Sequence, residues 1–373
     1  MSEDILLLDT DVETALRAAV RSLLNERCEP AAVLAAYAGD RSLTRALWKP
    51  ITIELGLAGL LIPENRGGAG GSAREAAVVL EELGRFAAPV PFLTSSVIAA
   101  TILLAGDSEL VGQLATGECT AALLAPFSAA TVEQIPTLTK DADGRLSGRV
   151  TSVAGALEAD VLLAAVQTPT GTEVHALATS AVTAAPVVSL DMTRPLADIT
   201  VDSVPGRVVV GAGAGLPALR GGLAIGAALL ASEQAGVAAW CLDTTVAYVK
   251  VRRQFGRVVG GFQALKHRLA DLYVELESAR ATARYAAGAI AAGDPDAAIA
   301  TAVAAAYCGD IAVHAAEEAV QLHGGIGMTW EYPVHLYLKR AKADQIGLGS
   351  PAYHRSVLAG LIDLPLGRRS DDQ

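Results

Sequence analysis

Two groups of residues in the last third of the chain have the types and spacing needed to bind a phosphate-bearing cofactor. The first is Arg252-Arg253-Gln254-Phe255-Gly256, followed by Gln263. The second is Gln321-Leu322-His323-Gly324-Gly325. A guanidinium donates paired, charge-assisted hydrogen bonds to phosphate oxygens, and glycine lets the backbone approach a ligand closely because it lacks a Cβ. Together the two groups predict a site for a pyrophosphate-bearing cofactor.

Long helices must position these two groups. One helical pattern runs from about residue 218 to residue 252, and a second follows it and ends at Gly293. The second helix carries one apolar stripe of leucines, namely Leu265, Leu269, Leu272 and Leu276. Asp294-Pro295 begins a third helix, which the glycines after His323 end. Alanine-rich helices of this length pack as a bundle, so we expect a C-terminal bundle over residues 213–373.

The middle of the chain, residues 117–212, has a different pattern. Short β-prone runs alternate there with turn signals such as Asp143-Gly144 and Pro169-Thr170-Gly171. Strands at this spacing favour a small barrel or sandwich. The glycine-rich run 211–217 is predicted to be the boundary with the C-terminal helices.

Residues 1–116 have helical patterns. Val12–Asn25 and Ser42–Leu57 carry apolar residues at helical spacing, and Ser72 opens a further helix with a capping-box pattern. The glycines at 67–71 precede that helix, and no strand leads into them. The sequence therefore predicts a flexible loop between helices there and no phosphate-binding loop.

Composition limits the classes of partner. Hydrophobic residues make up 52% of the chain and the net charge is −11, which predicts a large core and excludes nucleic acid as a partner. The four cysteines are far apart and show no metal-binding spacing, so we expect reduced, buried thiols in a cytoplasmic protein. The N-terminus lacks the layout of a signal peptide, and the uncharged run Phe86–Gly106 contains two prolines. That run predicts a core helix and no membrane span.

The order of helices, β region and helical bundle, together with several motifs, resembles the acyl-CoA dehydrogenase family over essentially the whole chain. The matching motifs are Tyr248-x3-Arg252-x-Gln254-Phe255-Gly256, Phe262-Gln263-x3-His267-x-Leu269-Ala270-Asp271, Gln321 to Gly327 with Glu331-x-Pro333, Arg340, and Gly349 to Arg355. Each motif alone is weak, but their combination in this order is highly specific. The resemblance implies a mainly α fold with a β middle domain and a C-terminal four-helix bundle.

The resemblance also implies FAD as cofactor and acyl-CoA as substrate. In this family the C-terminal domain reaches into the flavin site of a neighbouring chain. Arg252 would bind the flavin pyrophosphate, Phe255 would pack along the cofactor, and Gln263 would hydrogen-bond it. The segment Gln321–Gly325, which includes Gln321 and Leu322, would complete the site, and Gly324 and Gly325 would let the backbone approach the adenosine half. An electron-transfer flavoprotein would accept the electrons, and direct transfer to oxygen remains an alternative.

The resemblance fails at the catalytic base. The family removes the weakly acidic α-proton of the thioester with a glutamate, which burial beside substrate makes sufficiently basic. One family position for this glutamate corresponds here to Leu348, and the other falls in the stretch Leu223–Leu229, which has no acid. We therefore predict no catalytic residue in this chain. Glu233 is the alternative for a relocated base, and Glu331 is expected to be structural.

The middle domain departs from the family in the same way. The loop and strand that clamp the flavin ring in the family correspond to Leu123–Pro136 and Arg149–Ala154, and neither keeps the family pattern. The chain thus retains residues for a neighbour's cofactor and lacks those for its own. This asymmetry resembles the base-less subunit of heterotetrameric (α2β2) acyl-CoA dehydrogenases of actinobacterial steroid breakdown.

Three functions follow as hypotheses. The first is a non-catalytic subunit whose partner supplies the glutamate and most of the acyl-CoA pocket, with a steroid-derived acyl group favoured by analogy. The second is a self-sufficient homotetrameric dehydrogenase that uses Glu233. The third is a helical scaffold or acyl-CoA-binding protein without redox chemistry, which the absence of any flavin spectrum would distinguish from the other two.

Overall fold

The computed structural model describes residues 5–106 and 109–364. Its fold is mainly helical with a β middle region, as predicted. The helices are α1 (Asp11–Arg27), α2 (Pro30–Ala35), α3 (Ser42–Lys49), α4 (Ala73–Arg85), α5 (Ala100–Leu104), α6 (Leu110–Thr116), α7 (Ala212–Val251), α8 (Gln263–Ala292), α9 (Ala297–His323), α10 (Val334–Ile346) and α11 (Pro351–Leu361).

Local sequence determines where the N-terminal helices begin. Ser72 caps α4 with the reciprocal hydrogen bonds of a capping box, as its sequence predicts. The single helix predicted over Ser42–Leu57 is wrong, because α3 ends at Lys49 and a π-helical turn follows over Pro50–Glu54. Proline has no backbone N–H to continue the α-helical hydrogen bonds, so the chain changes its winding there.

The glycines at 67–71 form an ordered loop and no anion cradle. The backbone N–H groups of Gly68, Ala69, Gly70 and Gly71 all donate to carbonyl oxygens of residues 59–63. A Cβ on Gly68 would also collide with the backbone of Ile62. Because these amides are already bonded within the loop, they are not available to a phosphate. The prediction of a loop between helices holds, but close packing contradicts its predicted flexibility.

The middle region is built from two four-stranded sheets. The first has the order β1-β4-β5-β8 and the second the order β2-β3-β7-β6. The strands are β1 (Ala121–Leu123), β2 (Thr139–Lys140), β3 (Arg145–Ala154), β4 (Val161–Thr168), β5 (Gly171–Ala178), β6 (Thr183–Val187), β7 (Leu196–Pro205) and β8 (Arg207–Val210). A core of buried aliphatic side chains, including Leu146, Leu162 and Ile199, belongs to this region.

Helix α7 begins earlier than the predicted start at about residue 218. It begins at Ala212, so Gly213, Gly215 and Pro217 lie inside it. Gly215 packs against the backbone of Thr172 on β5, where a Cβ would collide with the carbonyl oxygen. The glycine therefore allows the first turns of the helix to pack closely on the sheet.

Helices α7 to α11 pack together in the C-terminal part, with α7 and α9 at its centre. Ala212–Val251 and Ala297–Met328 are long and apolar enough to cross a membrane, and 61% and 50% of an 18-residue apolar stretch in each are buried in the fold. The central helices of a bundle have the same properties, so this evidence for a span is weak. All four cysteines are free and buried, as predicted.

Candidate functional site

The first predicted cofactor group forms a tight hairpin directly after α7. Arg253–Gln254 (β9) pairs antiparallel with Arg257–Val258 (β10), and Phe255 and Gly256 form the two-residue tip. Both tip residues have positive φ, 51° and 77°, as a hairpin of this length requires. The Phe255 side chain is 90% exposed. The hairpin thus presents an aromatic ring on the outside of the chain.

The second predicted group lies at the same end of the helical bundle. The Tyr248 ring, one turn before Arg252, stacks on His323 with centroids 4.3 Å apart. The Tyr248 hydroxyl also donates to the His323 carbonyl oxygen at 3.4 Å. These contacts hold the end of α7 against the end of α9, where Gly324 and Gly325 follow. The structure therefore brings the two groups to one exposed surface.

The glycine bend is open and requires glycine at one position. Gly324 has φ 64° and ψ −143°, a conformation that is essentially restricted to glycine. No atom lies within 4 Å of where a Cβ would stand on Gly324 or Gly325. Gln321 is exposed and Leu322 is half-buried beside this bend. A ligand could therefore contact the backbone directly.

The charge at this end of the bundle suits an anion. Arg252, Arg253 and Arg257 are exposed, and none of them makes a salt bridge to another described residue. Gln263 begins α8 beside them. An exposed guanidinium without a salt bridge, such as that of Arg252, and an open glycine bend fit the pyrophosphate of a dinucleotide, so the residues present fit FAD. We call these residues, Arg252, Phe255, Gln263, Gln321, Leu322, Gly324 and Gly325, the outer cradle.

The position of the missing base lies elsewhere, between α7 and the middle domain. Leu348 is 4% exposed and has a positive φ of 53°. Its N–H donates to the Phe127 carbonyl oxygen at 2.8 Å, and its carbonyl accepts a hydrogen bond from His354 Nε2 at 3.0 Å. Burial lowers the pKa of His354, which favours the neutral ring. Leu348 is thus fixed from both sides and offers no proton acceptor.

The crevice in front of Leu348 is nearly filled. Its volume is about 30 Å³, room for one or two waters. It is lined by Thr94, Ile98, Leu123, Ala125, Pro126, Phe127, Ala154, Leu223 and Leu348. Five of these residues belong to the stretches that correspond to the flavin clamp of the family, namely Leu123, Ala125, Pro126, Phe127 and Ala154. The Phe127 ring packs so closely that a Cβ on Gly347 would lie 2.6 Å from it. The enclosed space in this crevice is smaller than a flavin ring.

A buried network of ion pairs lies next to the crevice. Arg194, in the loop before β7, donates to Glu233 on α7 at 2.6–2.8 Å and to Asp344 on α10 at 2.5 Å. Arg340 also donates to Glu233, at 2.8 Å through its Nε. The Arg194 guanidinium lies 4.9 Å from the centroid of the Phe127 ring. The network therefore joins the middle domain to the bundle at the filled crevice.

The electrostatics of this network decide the role of Glu233. Its side chain is 1% exposed, and burial alone would raise its pKa. The charges and hydrogen bonds of Arg194 and Arg340 outweigh burial, so its pKa is lowered. Burial raises the pKa of Asp344 to about 7, and nearby Glu233 adds to the increase. Glu233 is therefore a poor proton acceptor, which argues against its role as a relocated base.

Sequence analysis missed Phe127, Arg194 and the network behind them. Arg194 and Asp344 lie 150 residues apart, and Arg194 and Glu233 lie 39 apart. No local spacing links such residues, because the contact exists only after the middle domain docks on the bundle. The one available signal was Glu233, because residues 221–242 of this helix contain no other charged residue.

Comparison with protein families places both ends of the chain in one family. Residues 10–117 match the acyl-CoA dehydrogenase N-terminal domain, and residues 213–361 match the acyl-CoA dehydrogenase C-terminal domain. Acyl-CoA dehydrogenase IpdE2 of Mycobacterium tuberculosis is 37% identical over 93% of this chain and 95% of its own length. Its namesake in Mycolicibacterium smegmatis is 37% identical over 90% of this chain and 94% of its own length.

Solved structures show the same fold. A variant of the Tcur3481-Tcur3483 steroid ACAD superposes with a TM-score of 0.82 at 28% identity, over 95% of this chain and 98% of that chain. The ChsE4-ChsE5 complex of Mycobacterium tuberculosis gives a TM-score of 0.83 at 26% identity, over 97% and 100%. The motifs, the fold and these relatives agree: the chain belongs to the acyl-CoA dehydrogenase family.

Proposed function

We propose that this chain is the non-catalytic subunit of a heteromeric, FAD-dependent acyl-CoA dehydrogenase, an α2β2 heterotetramer. The observation that carries this proposal is the separation of the two sites. The outer cradle is open and shares no residue with the lining of the chain's own crevice, whereas the crevice holds only about 30 Å³ and has Leu348 at the base position. A chain built in this way can bind a neighbour's cofactor but cannot perform proton chemistry itself.

The two subunits have different roles in this proposal. In this chain, Arg252 neutralises the pyrophosphate of the partner's FAD, Phe255 and Gln263 contact the cofactor, and the segment Gln321–Gly325 closes over its adenosine half. The partner contributes the glutamate that takes the α-proton of the acyl-CoA. Bound flavin supplies the acceptor for the hydride from the β-carbon, and an electron-transfer flavoprotein then receives the electrons.

The substrate proposal rests on the relatives. One similar structure is described as a steroid ACAD, and both similar structures carry two-component names. We therefore propose a steroid-derived acyl-CoA as substrate. The alternative is a self-sufficient enzyme that uses Glu233 as its base. The pairing of Glu233 with two arginines argues against that role.

Expression alone and together with the partner tests this function. We expect the chain alone to be flavin-poor or insoluble, and we expect co-expression with its partner to give a yellow, active complex. The measurement is the ratio of flavin absorbance at 450 nm to protein, together with dehydrogenation of an acyl-CoA. A yellow and active homo-oligomer of this chain alone would reject the proposal, and a partner complex without any flavin would favour the scaffold hypothesis.

A further inference from the structure

A small cavity lies where the N-terminal helices meet the C-terminal bundle. Its volume is about 20 Å³, room for one or two waters. Its walls come from the segment before α1 and from α1, α4, α7 and α8. It shares no residue with the outer cradle or with the crevice in front of Leu348. A particle inside it would therefore touch both the N-terminal and the C-terminal part of the chain, away from the two sites described above.

Three unpaired hydrogen-bond donors belong to the residues that line this cavity. They are the Ser232 hydroxyl on α7, Nη2 of Arg17 on α1 and Nε of Arg284 on α8, each buried and without a partner among the described residues. Ser232 is only 4% exposed, so bulk water does not reach its hydroxyl. A buried donor without an acceptor is costly, and guanidinium nitrogens can only donate. The site therefore requires an acceptor.

The charge around the cavity is positive by one unit. Its lining carries four arginines and three carboxylates, namely Arg17, Arg74, Arg280 and Arg284 against Asp9, Glu13 and Glu81. Two further carboxylates form ion pairs with these arginines. Glu82 is shared with Arg21, which matches its charge, and Glu277 is 45% exposed, so solvent screens it. One arginine charge therefore has no buried carboxylate to match it.

Arg284 is the arginine with the weakest pairing. Its shortest contact to a carboxylate is 3.5 Å, with Asp9. By contrast, Arg17 and Arg74 have carboxylate oxygens at 2.8 and 2.6 Å. Nη1 of Arg284 donates to the carbonyl oxygen of Leu7 at 3.3 Å, and its Nε is left free for a ligand. An anion in the cavity would give this guanidinium the negative partner that it lacks.

We propose that this cavity binds one small monovalent anion of halide size, such as chloride. The anion accepts hydrogen bonds from the Ser232 hydroxyl, from Arg17 and from Arg284. The volume suits an ion slightly larger than a water molecule and leaves no room for a phosphate group or an organic acid. A water would fit, but it accepts two hydrogen bonds at most and brings two hydrogens of its own. It would therefore leave one of the three donors unpaired.

Such an ion would stabilise the contact between the two helical parts of the chain. It would join α1 and α8 to α7 at Ser232, next to Glu233 in the network with Arg194. The inference does not rest on the proposed function, because neither the outer cradle nor the base position takes part. Anion binding and flavin content are measured separately, so the failure of one proposal can be distinguished from the failure of the other.

Crystals of the co-expressed complex grown in sodium bromide test the site directly. Bromide takes the place of chloride, and its anomalous scattering distinguishes it from water. We expect one bromide in the cavity of each copy of this chain, within hydrogen-bonding distance of Ser232 Oγ. A water there, or no anomalous signal in the cavity, would overturn the inference.

Thermal unfolding of the same complex measures binding in solution. Replacing sodium gluconate by sodium bromide at constant ionic strength should raise the melting temperature by about 1 °C or more above any shift seen with Ser232→Ala, because an anion bound only by the folded chain stabilises it. General salt effects act on both proteins and cancel in this comparison. Loss of one hydrogen bond to the ion should raise the bromide concentration at half of the shift roughly tenfold.

Ser278→Ala is the matched control. Ser278 is exposed on α8, its hydroxyl donates to the Val274 carbonyl oxygen, and it does not line the cavity. This variant should respond to bromide as the unaltered complex does. If Ser232→Ala shows the same bromide response as Ser278→Ala, the anion does not bind at Ser232 and the inference is wrong. If Ser232→Ala fails to assemble, the bromide crystals of the unaltered complex decide.

Discussion

Replacing Arg252 with glutamine is expected to remove most FAD from the co-expressed complex. The side chain is exposed and makes no salt bridge to another described residue, and Arg252 follows by one helical turn Tyr248, which bonds to His323 just before the glycine bend. Each charge-assisted hydrogen bond is worth about 1.5–3 kcal/mol, and about 1.4 kcal/mol corresponds to a tenfold change in affinity. Loss of a paired contact to pyrophosphate should therefore weaken FAD binding by roughly 100-fold or more. The measurement is FAD bound per complex after gel filtration.

The neighbouring arginine supplies the control. Arg253 is equally exposed but belongs to β9 of the hairpin, and the resemblance gives it no contact with the cofactor. Arg253→Gln should retain FAD and should elute as the same assembly. If Arg252→Gln keeps its full flavin content while Arg253→Gln loses it, the assignment of the outer cradle is wrong. Gel filtration also shows whether either variant changes the assembly itself.

Replacing Glu233 with glutamine is expected to lower the free energy of unfolding and to leave the turnover of the complex unchanged. The change leaves the guanidiniums of Arg194 and Arg340 buried without their shared carboxylate. Breaking a buried ion pair in this way costs about 3–5 kcal/mol of the free energy of unfolding. Turnover per bound flavin should stay close to that of the unaltered complex. Denaturant unfolding and steady-state kinetics on the same preparation measure the two effects.

This variant also separates two of the hypotheses. A relocated base at Glu233 predicts the opposite result, in which turnover is abolished while flavin content and stability are retained. Glu331→Gln is the matched control, because Glu331 is exposed and a surface substitution changes stability by no more than about 0.5 kcal/mol. Loss of turnover in a stable Glu233→Gln complex would reinstate the self-sufficient enzyme.

Residues that are close in sequence were the most predictable part of the site. The Gly324-Gly325 bend depends on local backbone preference, so its motif predicts it in advance, whereas the Phe255-Gly256 hairpin was not predicted. The strands around Asp143-Gly144 also form where turn chemistry predicts them, because β2 and β3 flank that turn. In each case the neighbouring residues alone determine the conformation.

Predictions failed where packing overrode local preference. The sequence predicts that the long helix begins at about residue 218, yet Gly213, Gly215 and Pro217 lie inside α7 because the helix packs directly on β5. The Arg194–Glu233–Arg340–Asp344 network and the filled crevice could not be predicted, because they depend on how the middle domain docks on the bundle.

We propose that this chain binds a partner's flavin and holds none of its own. The ratio of FAD to subunits in the purified, co-expressed complex tests this proposal, after the cofactor is released and both subunits are quantified. We expect one FAD for each pair of different subunits. Two FAD per pair would show that a flavin also occupies the crevice beside Phe127 and Leu348, and the proposal would then be wrong.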